Sequence, residues 1–117
     1  MSAASFDGPR QAAAPPVGLI LAAGTGRRLG RGPKALLLLR GTTLVEHVAR
    51  ALREGGCGEV VVVTGAGAER VGAVVDGMPW VRTEQNPRWR EGMGTSLRTG
   101  LAAIGPGRDV LVTPVDR

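Results

Sequence analysis

Short apolar runs and segments of helical periodicity alternate along this chain. Val17–Ala23 is almost continuously apolar, with Gly18 among its residues, as a strand covered on both faces should be. Ala35–Leu39 is long enough only for a brief strand or turn ending at Gly41. Thr43-Leu44-Val45-Glu46 has the spacing of a capping box, in which hydroxyl and carboxylate satisfy each other's backbone donors. Leu44, Val48 and Leu52, flanked by Val45 and Ala49, then repeat as one helical face, which Gly55-Gly56 stops. Glu59–Thr64 is a β-branched second strand. Ala66–Val75 has a weaker helical pattern ending near Gly77, and Trp80–Glu84 is a third strand. After a loop holding Asn86-Pro87 and Trp89, the spacing predicts a helix over Gly94–Ile104, with Leu97, Leu101 and Ile104 on one face. Gly105-Pro106-Gly107 ends it, Asp109–Val115 is a fourth strand, and Asp116 stands at that strand's C-terminal end. Met1–Pro16, rich in Ala, Ser and Pro and without periodicity, reads as a disordered lead-in.

This β-α-β-α-β-α-β order predicts an α/β domain over residues 17–117, an open, mostly parallel sheet with helices on both faces. Such sheets bind ligands beyond the carboxyl ends of their strands. The loop after Ala23, the Asn86–Ser96 segment and Asp116 all fall at that edge. No helix follows the fourth strand to cover it, so the chain reads as the truncated N-terminal part of a larger domain.

Composition narrows the choices. A chain of 117 residues makes one domain. Hydrophobic residues form 43% of it but aromatics only 3%, so aliphatic side chains must fill the core. The formal charge is +5, yet the arginines are spread along the chain and cluster only at Arg27-Arg28-Arg31 and Arg88-Arg90. That is not the basic stripe of a nucleic-acid binder. Cys57 is the single cysteine, so no internal disulfide can form. It has no histidine partner in the pattern, and His47, also alone, falls inside a helix; neither is a candidate ligand or nucleophile. No run reaches membrane-spanning length, and no basic-then-apolar leader opens the chain. The expected location is cytoplasmic, with no membrane partner.

The chemistry concentrates in Val17–Lys34, VGLILAAGTGRRLGRGPK. A buried strand that breaks into glycines and cations can cradle phosphate, because successive backbone N–H groups form an anion-binding concavity and Arg28 and Lys34 add charge. Lys34 is the only lysine beside 14 arginines; a compact, mobile ammonium suits a moving phosphate better than a rigid guanidinium fork. Two familiar loops do not fit. Gly24-x-Gly26-x-x-x-Gly30 is one residue longer than the dinucleotide-binding spacing, and the second strand ends in Thr64-Gly65 without the acidic residue expected there. In Gly32-Pro33-Lys34-Ala35 no hydroxyl follows the lysine, as a P-loop requires. The second informative stretch, Gly92-Met93-Gly94-Thr95-Ser96, is a run of small residues leading into a helix. Its backbone can approach a planar base, and Thr95 or Ser96 is a candidate N-cap. Asp116 is the candidate magnesium ligand, since that ion needs only one or two carboxylates beside phosphate and water.

The pattern L-A-A-G-x-G-x-R-L-G…P-K resembles the signature of nucleotidyltransferases of the nucleotide-diphospho-sugar transferase (glycosyltransferase-A) type, and in particular the MobA-like NTP transferases. With Asn86–Leu101 and Val112-Thr113-Pro114-Val115-Asp116, the chain looks like the molybdenum cofactor cytidylyltransferase branch. The resemblance implies transfer of CMP from CTP to a molybdopterin-type acceptor, with release of pyrophosphate and a molybdoenzyme or maturation factor as partner. By position it implies base and ribose contacts at Leu21, Ala22, Ala23 and Gly24, with Gly26 in the same loop. Triphosphate contacts, with catalytic roles, fall to Arg28 and Lys34; Gly94, Thr95 and Ser96 would lie near the base, and Mg2+ at Asp116. Ala23 leans the base toward cytosine. The alternatives on this fold are a guanylyl or sugar-1-phosphate transferase, or a nucleotide-binding module without turnover; an NAD-dependent oxidoreductase is disfavoured by the glycine spacing.

Overall fold

In the computed structural model, residues 15–24 and 33–115 are described. The strands are β1 Val17–Ala22, β2 Leu38–Leu39, β3 Thr42–Thr43, β4 Glu59–Thr64, β5 Val81–Gln85 and β6 Val110–Pro114, and the helices are α1 Leu44–Glu54, α2 Ala68–Val75 and α3 Met93–Ile104. Among the described residues four strands form one sheet in the order β5-β4-β1-β6. Every pairing in it is parallel, with Val17 opposite Glu59 and Val110, and Val60 opposite Val81. The domain is therefore α/β with a parallel sheet. The predicted lead-in and its boundary at Pro16 lie largely outside the described residues.

The two central strands are apolar throughout because each faces helices on both sides. Alternation assigns the faces. Val17, Leu19, Leu21, Val61 and Val63 pack with Leu97 and Ile104 of α3. Ile20, Ala22, Val60 and Val62 pack on the other side with Val45 and Ala49 of α1 and Val71 and Val75 of α2. Burying each such Val, Leu or Ile contributes about 1.5–3 kcal/mol, so β1 and β4 carry most of the sheet's stability. The outer strands carry less: Leu111 and Val112 of β6 stay about half exposed.

The local signals mostly placed the elements within two residues, and the departures have physical causes. Ala35–Leu39 divides into a 3-10 turn, Lys34–Leu36, and a two-residue strand that forms the antiparallel β2–β3 hairpin. Its turn carries positive φ at Arg40 and Gly41, as a tight two-residue hairpin requires. The helix expected from Ala66 starts at Ala68, because Gly67 takes φ 67° and forms a bridge with Gly65 first. In α3 the buried face runs through Leu97, Gly100 and Ile104, and Leu101 lies on its flank, 42% exposed. Gly100 sits so close to the sheet that a Cβ there would lie 2.4 Å from Leu19 Cδ1. Neither Thr95 nor Ser96 caps α3; both lie in its first turn, behind Gly92, whose φ of 118° suits glycine alone.

The capping box of α1 is present. Glu46 N–H donates to Thr43 Oγ1 at 3.3 Å, while Thr43 N–H and Oγ1 donate to Glu46 Oε1 at 3.0 and 2.8 Å. The Thr43 hydroxyl bond is the main reason the Glu46 carboxyl titrates below its ordinary value. A carboxyl lowered in the folded state adds stability above its unfolded pKa and loses it as pH falls through the folded pKa. Thr43→Val should therefore cost about 1 kcal/mol near neutrality, with the difference from the parent shrinking in acid. Thermal melts across the acid range check this; a constant difference at every pH would refute the carboxylate's part.

Candidate functional site

Because the sheet strands are parallel, their C-terminal ends meet along one edge, with Ala22 opposite Thr64 and Thr64 opposite Gln85. Backbone bonds carry the ladder past the strands: Ala66 N–H to Ala23 O, Asn86 N–H to Thr64 O and Val115 N–H to Leu21 O. Three loops are thus held side by side. Between them lies a cavity of about 140 Å³ lined by Leu21, Ala23, Gly24, Trp89, Met93 and Ser96.

The far wall is built locally. Asn86 closes a turn by accepting from Arg88 N–H at Oδ1, 2.9 Å. A 3-10 turn, Trp89–Glu91, follows. The Trp89 indole then lies on the end of β4: a Cβ on Gly65 would be 2.5 Å from Trp89 Cγ, so the strand needs glycine to let the ring in. The Arg90 guanidinium stands 4.6 Å from the Trp89 ring centroid, within cation–π reach. Arg88 and Glu91 pair at 2.6 Å, and that bond is the first cause holding the Glu91 carboxyl below its ordinary value. The pair is exposed, so it fixes the loop's outer face more than it stabilises the fold.

The N-terminus of α3 faces this edge with no acidic residue in its first turn, an arrangement that favours an anionic group beside it. Asn86 is 2% exposed and its Nδ2 donates to both Thr95 Oγ1 and Ser96 Oγ at 2.9 Å. Thr95 Oγ1 in turn contacts the Gly92 and Arg88 carbonyls at 2.8 and 3.0 Å.

Of the residues singled out from sequence, Leu21, Ala23, Gly24 and Ser96 share the cavity. Ala22 turns its methyl into the core beneath α1, so only its backbone faces the edge. Gly94 is exposed and Thr95 is buried with its hydroxyl tied to backbone; neither lines the cavity. Lys34 opens a 3-10 turn, half-buried, and does not line the cavity. Pro33, just before, packs on Gly67 at the end of β4, where a Cβ would lie 2.7 Å from Pro33 Cγ. The lysine is thereby held at the same edge. Gly26, Arg28 and Asp116 lie outside the described residues. Sequence reasoning passed over Trp89, Met93 and Asn86 as site residues. An aromatic and an Asn-Pro step in the loop between a strand end and a helix were the available signals.

Magnesium takes carboxylate, phosphate and water oxygens. Among the described residues no three of His, Cys, Asp and Glu gather as a metal site, and the cavity lining holds no carboxylate. No helix of the described residues is long and apolar enough to cross a membrane.

The chain matches the MobA-like NTP transferase domain over residues 18–117. It is 50% identical over 100 residues to the nicotine blue oxidoreductase of Paenarthrobacter nicotinovorans, covering 86% of this chain and 48% of that one. Its fold is similar to a nucleotidyl transferase from Methanothermobacter thermautotroptrophicus, with TM-score 0.72 and 32% identity over 86% of this chain and 50% of that one. It is also similar to the CTP:phosphocholine cytidylyltransferase of Streptococcus pneumoniae, with TM-score 0.72 and 25% identity over 86% and 45%. The chain thus spans about half the length of these relatives. A match that begins inside β1 and takes in every loop of the C-terminal edge, together with a shared fold, supports one conclusion: this chain belongs to the MobA-like NTP transferase family.

Proposed function

We propose that this chain carries the nucleotide-binding part of a cytidylyltransferase that moves CMP from CTP to a molybdopterin-type acceptor. An oxygen of the acceptor's phosphate forms a bond to the α-phosphorus of CTP, the bond from that phosphorus to the bridging oxygen breaks, and pyrophosphate leaves. One observation carries the reading: Leu21, Ala23 and Gly24 at the end of β1 meet Trp89, Met93 and Ser96 across a cavity at the strands' carboxyl edge. The base and ribose fit against Leu21, Ala23 and Gly24, with the backbone of Ala22 and Gly94 and the Thr95–Ser96 turn at hand. Gly26, Arg28 and Lys34 meet the triphosphate. Little covalent help is needed, because positioning and charge neutralisation supply most of the rate in phosphoryl transfer. Mg2+ would add a further positive charge, with Asp116 as its protein ligand. Asp116→Asn is expected to weaken the magnesium dependence of the rate, and a magnesium titration like the parent's would remove Asp116 from that role. The reaction fits the cytoplasm, where nucleoside triphosphates are made, and a molybdoenzyme or its maturation factor would receive the product.

The test is pyrophosphate release with CTP, GTP or UTP, with and without the pterin, in this chain and in one continued to the length of its relatives. Release with CTP and the pterin supports the reading. Release with GTP or a sugar 1-phosphate would keep the transferase and change the substrate; nucleotide binding without release would leave a binding module.

A second reading rests on the 50% identity to a protein named as an oxidoreductase. The loop after β1 lacks the dinucleotide spacing, and β4 ends in Thr64-Gly65 without a carboxylate. Loss of nicotinamide absorbance on mixing the chain with NADH or NADPH and an aromatic acceptor would favour that reading over transfer.

A further inference from the structure

We propose that Asn86 is a positioning residue that orients the Ser96 hydroxyl, turning its proton away from the amide so that it is offered to an acceptor of the ligand in the cavity. The inference rests on the nucleotide reading under Proposed function. The orientation of the Asn86 amide is fixed by its neighbours. The Arg88 backbone N–H can only donate, and it lies 2.9 Å from one end of that amide, which must therefore be the oxygen. The NH2 end then spends both protons, one on Thr95 Oγ1 and one on Ser96 Oγ, each at 2.9 Å. A flipped amide would set donor against donor at Arg88, so the orientation is locked.

The two hydroxyls differ in where their own protons go. Thr95 passes its proton to a backbone carbonyl, Gly92 O at 2.8 Å or Arg88 O at 3.0 Å, and is fully used. Ser96 accepts from Asn86, and among the described residues no hydrogen bond is donated by it. Ser96 is 2% exposed yet lines the cavity with Leu21, Ala23, Gly24, Trp89 and Met93. In that apolar surround no acceptor among the described residues takes its proton, which is left for the ligand. A hydroxyl can rotate freely; Asn86 fills one of its two acceptor lone pairs and so turns the O–H proton away from the amide. The chemistry that uses this proton is a carbonyl oxygen or an unprotonated ring nitrogen; a ligand without an acceptor there would leave it unmatched. Leaving such a buried donor unmatched is costly.

The experiment is a double-mutant cycle read by equilibrium titration with CTP in the presence of magnesium, with a thermal melt for each variant. Asn86→Asp keeps the shape and the bond to Arg88 N–H but offers Ser96 an acceptor, which draws the serine proton away from the cavity. Asn86→Asp and Ser96→Ala are each expected to weaken CTP about tenfold, and the double variant also about tenfold rather than a hundredfold. A purely structural Asn86 would lower the melting temperature but leave the two effects on affinity multiplicative, which would overturn the proposal. Should Asn86→Asp fail to fold, Ser96→Ala alone decides: unchanged CTP affinity sinks the donor role. Parent protein that binds CTP while Ser96→Ala binds it equally overturns this inference alone; parent protein that binds no nucleoside triphosphate overturns the nucleotide reading with it.

Discussion

Lys34→Ala is expected to lower turnover in nucleotidyl transfer by about 10²–10³-fold, the cost typical of removing one preorganised charge or donor from a developing anion, while CTP affinity falls by much less. Negative charge gathers on the departing pyrophosphate and the transferred phosphoryl oxygens as the bond breaks. A cation meeting that growth stabilises the transition state more than bound CTP. Under the proposed function, ground-state binding would be shared with the nucleotide's other contacts and would survive the loss. The fold fixes where Lys34 starts: Pro33 is wedged on Gly67, and Ala35 is buried under the sheet beside α1. Lys34→Arg should recover only part of the rate, since a rigid fork cannot follow the phosphate as an ammonium can. Single-turnover rates beside equilibrium CTP binding separate the two effects. An unchanged rate, or a loss confined to affinity, would remove Lys34 from the chemistry.

The second large effect concerns stability, at the contact of α3 with the sheet. Leu19 is fully buried beneath Gly100, and Leu19→Ala should cost about 2–5 kcal/mol through lost burial and a residual cavity. Gly100→Ala sets two terms against each other. Alanine in a helix interior gains about 1 kcal/mol over glycine, but the added methyl would stand 2.4 Å from Leu19 Cδ1, 2.8 Å from Cδ2 and 3.0 Å from Val63 Cγ2. Overpacking of a filled core costs about 1–3 kcal/mol, and neither neighbour can swing away because both are wholly buried. The single variant is expected to be destabilised. In the Leu19→Ala background the two closest obstructions are gone and Val63, the third, gains room to shift the few tenths of an ångström required, so the same Gly100→Ala change should turn neutral or stabilising. Denaturant titrations of the four proteins measure the sign change. Additive losses would mean that the helix does not approach the sheet through Gly100.

What could be read in advance depended on how local the cause was. Thr43 and Glu46 are three residues apart, so the start of α1 followed from their chemistry alone. β1 and β4 announced themselves because each is apolar on both faces. The alternation of strands and helices then implied a parallel sheet with its ligand edge at the strand ends. The glycine-rich loop and the small-residue turn near Ser96 were therefore recognisable as neighbours across that edge, and the pattern they make with Lys34 pointed to the family.

Other features depended on contacts between distant elements. A heptad-like spacing proposes Leu101 for the buried face of α3, yet the sheet takes Leu97, Gly100 and Ile104, because Leu19 occupies the space above β1 and only a residue without a side chain passes over it. Trp89 reads as an ordinary loop aromatic until β4 is found to end in Gly65, which gives the indole its seat. Asn86 reads as a turn residue until α3 brings Thr95 and Ser96 against its amide. By itself the sequence determined the order of the main elements, the cap of α1 and the family, since these follow from residues within a few positions of one another. Only the tertiary structure decided which walls close the cavity and that the Asn86 amide meets the Ser96 hydroxyl, because both arise where separate strands and a helix end compete for the same small space.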